Sequence, residues 1–318
     1  MNRETLVPAS EQEWLQFRTR DLTSTEVSAL FGLSPYLTEF ELYHRKRDGA
    51  IVRIPESERM RWGSRLEGSI AAGAAADQGW KVAPRKSYTR IPELRLGSSF
   101  DYEVAAVDAR GPGLLEVKNV DGQQFAKNWV EHGDSSFEAP PHIELQLQHQ
   151  LEVADLDWGA IAVLVGGNRL HVLERKRDPQ VAATIRARAA AFWAQVDGGT
   201  EPKPNYERDA RFIIESLRAQ TNPDEVLAAD PDLDVLLTSY RTVGAQLAEL
   251  EQSRDELKAM IFQRAGTASK IASALGVVTC GTVAPSQGKL ITPEMVGQYI
   301  GARAGFRQLR FPSKKKEK

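Results

Sequence analysis

The sequence predicts an α/β fold followed by a C-terminal mainly helical extension. Three observations predict it. Capped helices crowd residues 10–78, strand signals with two hairpins fill most of residues 82–175, and a heptad-spaced apolar seam follows a proline-bearing linker. The chain has 318 residues, of which 42% are hydrophobic and 26% charged. That is the composition of a folded protein, and the length suits about two domains. No run approaches the ~20 apolar residues of a membrane span. Residues 1–5 lack an apolar signal core, so a cytoplasmic rather than a secreted protein is expected. The one cysteine, Cys280, excludes an internal disulfide framework and cysteine-cluster metal sites. With a formal net charge of −2 there is no global basic field, and any nucleic-acid contact must come from local patches.

Each element has its own signal. Ser10 with Glu13, Thr23 with Glu26 and Thr38 with Glu41 have capping-box spacing, each before an apolar stretch, and Gly32 and Gly49 stop the second and third helices. A longer helix is predicted over 57–78, and its small residues 71–76 imply close packing against another element. Residues 82–91, 99–107 and 114–119 read as strands, the last two joined as a hairpin by the turn formers 108–113. Pro140-Pro141 opens a helix to about residue 154. Residues 160–165 and 169–175 form a second hairpin around Gly166-Gly167-Asn168, and a helix over 179–196 follows. Residues 201–204 form a linker, which divides the chain into domains at 1–205 and 206–318. Beyond it, Leu236, Tyr240, Val243, Leu247, Leu250, Leu257 and Ile261 alternate spacings of four and three, broken at Arg254, as in a helix that pairs with another helix. Residues 222–257 carry a net charge of −7 and residues 303–318 a net +6; the basic end is expected to be a solvated tail able to contact a polyanion.

The chemistry concentrates in Gly97-Ser-Ser-Phe-Asp101 and Leu115-Glu-Val-Lys-Asn119. Glu116 and Lys118, two apart on a strand, point to one face. Asp101 lies across the hairpin, so two carboxylates and an ammonium converge at one sheet end. Two carboxylates suit a hard cation such as Mg²⁺, and a lysine beside it could hold an attacking water. Spacing alone leaves a cross-strand ion pair on an exposed strand as an equal alternative, since Glu-x-Lys recurs at Glu174, Glu201 and Glu256.

These residues resemble the PD-(D/E)XK nuclease superfamily and, more narrowly, the lambda-exonuclease/YqaJ-type viral recombinase family. Four blocks occur in the family's order: Trp14-Leu-Gln-Phe-Arg18 with Leu22-Thr-Ser-Thr-Glu-Val27, Trp62-Gly-Ser-Arg-Leu-Glu67, the Asp101/Glu116/Lys118 set, and Leu145-Gln-Leu-Gln148. Phe100 stands where the superfamily has its proline, at a position that varies. The resemblance implies a central mixed β-sheet flanked by helices, the PD-(D/E)XK nuclease core. It implies Asp101, Glu116 and the Val117 carbonyl as metal ligands, and Lys118 as the residue that positions the water. Glu67 would reach the same site, and Gln146 would hold the lysine or water. Arg18 and Thr25 would bind a 5′-terminal phosphate.

Each assignment has a plain structural alternative. Glu67 could complete a capping box with Ser64, and Gln146 could lie on a helix surface. Arg18 could pair with Glu13 or Asp21, and Thr25 could be helix-start chemistry. Trp62 and Trp129 read as packing residues, and His149 as an ordinary helix residue. The five histidines form no ligand pair, so neither zinc nor a Ser/His/Asp triad is expected.

The function so implied is a Mg²⁺-dependent exonuclease, with Mn²⁺ as a substitute and two ions per site. It would degrade the 5′-ended strand of linear duplex DNA to 3′ single-stranded tails. It would act as a ring-shaped homo-oligomer on double-stranded DNA ends, with a single-strand annealing protein as partner and no membrane. The alternatives are a restriction- or repair-type PD-(D/E)XK endonuclease, and a non-enzymatic DNA-binding assembly protein with a vestigial site.

Overall fold

The computed structural model describes residues 1–283 apart from residue 54 and residues 106–108, 134–135, 218–221 and 223. The basic stretch 303–318 therefore lies outside the described residues, as does part of the turn 108–113. The chain divides into two compact units, Met1–Glu215 and Ser216–Lys318. Among the described residues no helix is long and apolar enough to cross a membrane.

The first unit opens with β1 (Glu4–Leu6), α1 (Glu11–Arg20), β2 (Leu22–Thr23), a 3-10 turn (Val27–Phe31), α2 (Glu39–Arg47) and α3 (Glu58–Gln78). Ser10 and Thr38 accept hydrogen bonds from the backbone of Glu13 and Glu41, so α1 and α2 start on their expected caps, and Ser57 caps α3 in the same way by accepting from the Met60 N–H. The Thr23–Glu26 pair behaves differently. Glu26 accepts from the Thr23 N–H and hydroxyl, but the turn it opens is a single 3-10 segment rather than an α-helix.

Next come β3 (Val82–Pro84), β4 (Tyr88–Ile91), β5 (Leu96–Ser99), β6 (Tyr102–Val104), β7 (Gly113–Val120), α4 (Gly122–Asn128), β8 (Val130–Glu131), β9 (Phe137–Glu138), α5 (Pro141–Ala154), β10 (Trp158–Val165), β11 (Arg169–Lys176) and α6 (Pro179–Gly198). A mixed five-stranded sheet runs β11-β10-β7-β6-β3, with β7 and β10 parallel and the other neighbours antiparallel. A four-stranded sheet runs β1-β4-β5-β2. The stretches 82–91 and 99–107, each expected as one strand, are both cut in two. In each case the chain leaves one sheet and enters the other, and Phe100-Asp101 is one of the two crossing points. The Arg85 N–H at the other crossing donates to the Asp101 carbonyl at 3.0 Å, and its guanidinium stacks 4.3 Å from the Phe100 ring centroid.

Strand alternation sorts the core into two faces. Leu115 joins Ala160 and Ala162 against Ile70, Ala71 and Ala74 of α3. There the small residues allow close approach: a Cβ on Gly73 would stand 3.3 Å from Leu170. Leu114, Ile161 and Val163 face α5 and α6, packing with Leu147, Leu151, Ile185 and Phe192. Glu116 and Lys118 share the parity of Leu114 and so face α5. The second hairpin forms as expected, with Gly166 and Gly167 at φ 59° and 79°.

The helix α7 (Tyr206–Ser216) follows the proline linker. It belongs to the first unit almost entirely, so the division falls after Glu215, ten residues beyond the linker-based boundary at 205. The reason is packing. Buried Asp209 accepts from the Thr38 hydroxyl and the Asn205 N–H, Arg208 donates to the Ser34 carbonyl at 2.6 Å, and Phe212 meets Phe40 edge-on. The second unit holds α8 (Pro231–Ala265) and the hairpin of β12 (Lys270–Ser273) and β13 (Gly276–Thr279).

Candidate active site

Glu116 is 3% exposed and saturated with donors. Its Oε1 accepts from Lys118 Nζ and Gln146 Nε2, each at 2.5 Å, and its Oε2 from Gln150 Nε2 at 2.7 Å. Gln146 Oε1 in turn accepts from Lys118 Nζ at 3.2 Å. The helix supplies this cradle because residues 146 and 150 are four apart and lie on one face. Gln148 points the other way, bridging the Lys176 carbonyl and the Asp178 N–H. Gln150 belongs to none of the sequence motifs. Its spacing from Gln146 on a helix was the available signal.

Asp101 lies where the chain crosses between sheets, just before β6. Its Oδ2 accepts from the Val117 N–H at 2.8 Å. Burial, then the Glu116 charge, push the Asp101 carboxyl up to about 8, against the opposing pull of Lys118 and the Val117 N–H. Burial and Glu116 likewise raise Glu67, which Lys118 pulls down. Burial alone would lower the Lys118 ammonium, but the Glu116 charge and hydrogen bond, with Asp101, hold it above its ordinary value. Lys118 is therefore a fixed cation at neutral pH.

The residues present fit a hard cation. All the acidic donors are carboxylates, and three carboxylates face one ammonium, a surplus of negative charge that a divalent cation would offset. Asp101 and Glu116 are the two close candidates. Glu67 interacts electrostatically with both, yet among the described residues no three Asp, Glu, His or Cys side chains converge into a complete ligand group.

A second cradle lies at the end of α1. Arg18 Nη2 donates to the Thr25 hydroxyl at 3.2 Å, and the guanidinium stacks 4.7 Å from the Trp14 ring. The loop holding Thr25 is pinned by Glu26, which accepts from Thr23 and from Lys46 at 2.8 Å; Lys46 also donates to the Arg18 and Asp21 carbonyls. Burial works against the Glu26 charge, but Lys46 and Arg18 outweigh it and hold the carboxyl below its ordinary range.

The plain structural alternatives fall away at several positions. Ser64 is inside α3 and bonds to the Met60 carbonyl, so it caps nothing with Glu67. Asp21 is bound by Arg90 and Tyr88 rather than Arg18. Gln146 is buried, not a surface residue. Trp129 does pack, stacked on Phe125. Trp62 is half-exposed beside Arg65. His149 is fully buried behind the site, with its Nε2 on the Gly97 carbonyl at 3.1 Å.

A mixed sheet flanked by helices brings Asp101, Glu116 and Lys118 together at one end of an α/β unit. Residues 13–157 match the model of the YqaJ-like viral recombinase domain. It is 27% identical over 258 residues to the uncharacterized protein YqaJ of Bacillus subtilis (strain 168), covering 79% of this chain and 77% of that one. Among solved structures it is similar to LHK-Exo, an alkaline exonuclease from Laribacter hongkongensis, at 18% identity and a TM-score of 0.44 over 64% of this chain and 99% of that one. It is also similar to a phage-related exonuclease from Haemophilus somnus 129PT, at 12% identity and a TM-score of 0.41 over 56% and 94%.

Proposed function

We propose that the first unit is a Mg²⁺-dependent exonuclease that degrades the 5′-ended strand of linear duplex DNA and leaves 3′ single-stranded tails. One observation carries the reading. A cleft of about 310 Å³ is lined by Thr25, Ser28, Lys118 and Gln146. The Thr25 hydroxyl that Arg18 holds from the neighbouring pocket thus shares this cleft with the lysine and glutamine of the acid site.

Asp101, Glu116 and the Val117 carbonyl would hold Mg²⁺, or Mn²⁺ in its place; a second ion would call on Glu67. When bound, the cation supplies Lewis-acid stabilisation of the charge that builds on the scissile phosphate. Lys118, protonated and braced by Gln146, orients the attacking water. The water oxygen bonds to phosphorus, the bond from phosphorus to the 3′ oxygen breaks, and a proton passes to that oxygen. The shortened strand keeps a 5′ phosphate, which Arg18 and Thr25 can take in turn. The reading includes a ring-shaped homo-oligomer on the duplex end and a single-strand annealing partner, both carried from the family resemblance.

The test is digestion of end-labelled linear duplex with Mg²⁺, comparing 5′-phosphate and 5′-hydroxyl ends with a closed circle. Mononucleotides should come from linear DNA alone, faster from 5′-phosphate ends, and Arg18→Ala should remove most of that preference. Charge-assisted hydrogen bonds of about 1.5–3 kcal/mol set a preference of roughly 10- to 100-fold. Cleavage of the closed circle would instead favour an endonuclease. Binding without hydrolysis in either metal would favour the vestigial-site protein.

A further inference from the structure

The long helix of the second unit carries a surface that the exonuclease chemistry does not use. α8 has 35 residues and so runs about 52 Å. Its seam residues are all exposed: Leu236 65%, Val243 62%, Leu247 56%, Leu250 68%, Leu257 60% and Ile261 49%. A stripe of this length at alternating spacings of three and four is the pattern of a coiled-coil seam.

We infer that α8 pairs with α8 of a second copy of this chain in an antiparallel coiled coil. The direction follows from the charges. In a parallel, in-register pair every residue meets itself. Arg254, which interrupts the seam, would then face another Arg254 within the apolar layer, and Asp232 and Glu251, which border the seam, would lie level with their own copies. Reversing one helix about the midpoint between Leu247 and Leu250 removes these clashes. Leu247 then packs against Leu250 of the second copy, Tyr240 against Leu257, and Leu236 against Ile261. Arg254 meets Val243, where its stem can lie along the seam and its head can reach water. The same reversal brings Arg264 beside Asp232 at the acidic start of the other helix. The seam thus accommodates Arg254 in the antiparallel direction and opposes it to itself in the parallel one. The pairing is two-fold symmetric, so residue contacts repeat on both sides and the interface closes on itself. It stands independently of the exonuclease reading.

The test uses the full chain with Cys280→Ser, which removes the native thiol. In that background Tyr240→Cys alone and Tyr240→Cys with Leu257→Cys are oxidised gently and run on a non-reducing gel. A covalent dimer from the double variant and none from the single one is the expected result. A dimer from the single variant would establish a parallel pair and overturn the proposal. No dimer from either would overturn it too. As a second measurement, Leu247→Asp with Leu250→Asp should halve the solution mass measured by light scattering while far-UV circular dichroism remains helical. An unchanged mass, or a monomeric wild-type chain, would mean that another segment or a different protein covers the seam.

Discussion

Residue by residue, the acid site is held from behind by buried side chains of α5, and Gln150 is the clearest of them. Among the described residues it alone donates to Glu116 Oε2, at 2.7 Å, in a buried setting. Removing it leaves a buried carboxylate oxygen short of a donor, which costs about 1–3 kcal/mol and frees the carboxylate to rotate. Gln150→Ala should therefore weaken Mn²⁺ binding by about 10- to 100-fold in calorimetry. Gln148→Ala, on the same helix but bonded to the Lys176 carbonyl and the Asp178 N–H, should lower the melting temperature and leave Mn²⁺ affinity alone. Equal effects of the two on Mn²⁺ affinity would remove the special role of Gln150. His149, one residue earlier, sets a pH limit on the fold. Burial pushes its imidazole down to about 4 although the Gly97 carbonyl bond works upward. The unfolded chain therefore takes up this proton near pH 6.5 while the folded chain does not until about pH 4. Stability from this group is whole above pH 6.5 and drains away as pH falls toward 4, a loss of about 3 kcal/mol. His149→Gln keeps a side-chain donor for Gly97 and cannot titrate, so its melting temperature should fall less between pH 7 and pH 4.5. A parallel fall in both proteins would assign the acid limb to other groups.

Among the elements, what was legible in the sequence depended on whether local chemistry or tertiary placement decides the outcome. Helices α1, α2, α3, α5 and α6 announce themselves because a cap or a proline fixes the start within the chain's own backbone, as Ser57 does for α3 and Pro140-Pro141 does for α5. The hairpin of β10 and β11 is similarly local, since Gly166 and Gly167 supply the positive φ its turn requires. The break at Arg85–Ser87 is not local. Pro84 weakens a single strand through residues 82–91, but the passage from one sheet to the other is set by tertiary placement. Gly97 shows the same limit at closer range. A Cβ there would fall 2.1 Å from the Tyr88 hydroxyl and 2.9 Å from Asp21, so this glycine is required by two distant elements, and nothing beside it in the chain says so. The acid site divides along the same line. Asp101, Glu116 and Lys118 were readable because they sit on one hairpin. Glu67 and Gln146 needed the family pattern, as they arrive from separate helices. Gln150 needed the helix face itself. The pairing of Arg18 with Thr25 depends on the loop that Lys46 ties down from α2, a contact 28 residues from Arg18.

At the scale of the whole chain, the end of the first unit is a physical question, because α7 lies beyond the proline linker yet is packed as part of that unit. Its anchors are specific. Asp209 is 1% exposed and takes the Thr38 hydroxyl, the same oxygen that caps α2. Phe212 packs edge-on against Phe40, with ring centroids 6.1 Å apart, and Arg208 holds the Ser34 carbonyl. Ser34 in turn lines the cleft, and its hydroxyl accepts from the Tyr36 and Leu37 N–H groups that shape the cleft wall. A chain ending at residue 204 would lose these hydrogen bonds and the aromatic contact, and would expose apolar surface on α2. Burying one such aromatic contributes about 2 kcal/mol, and the lost partners of Thr38 and Ser34 about 1 kcal/mol each. For a unit of about 200 residues, each kcal/mol corresponds to about 2–4 °C. The fragment 1–204 should therefore melt roughly 10 °C below the fragment 1–216, measured by calorimetry under the same conditions. The cleft wall gives a second readout. Protection of the Tyr36 and Leu37 amides from hydrogen exchange should be lower in 1–204 than in 1–216, while protection along β7 and β10 in the centre of the large sheet is kept. Identical melting and identical exchange in the two fragments would return the boundary to the linker at residues 201–204.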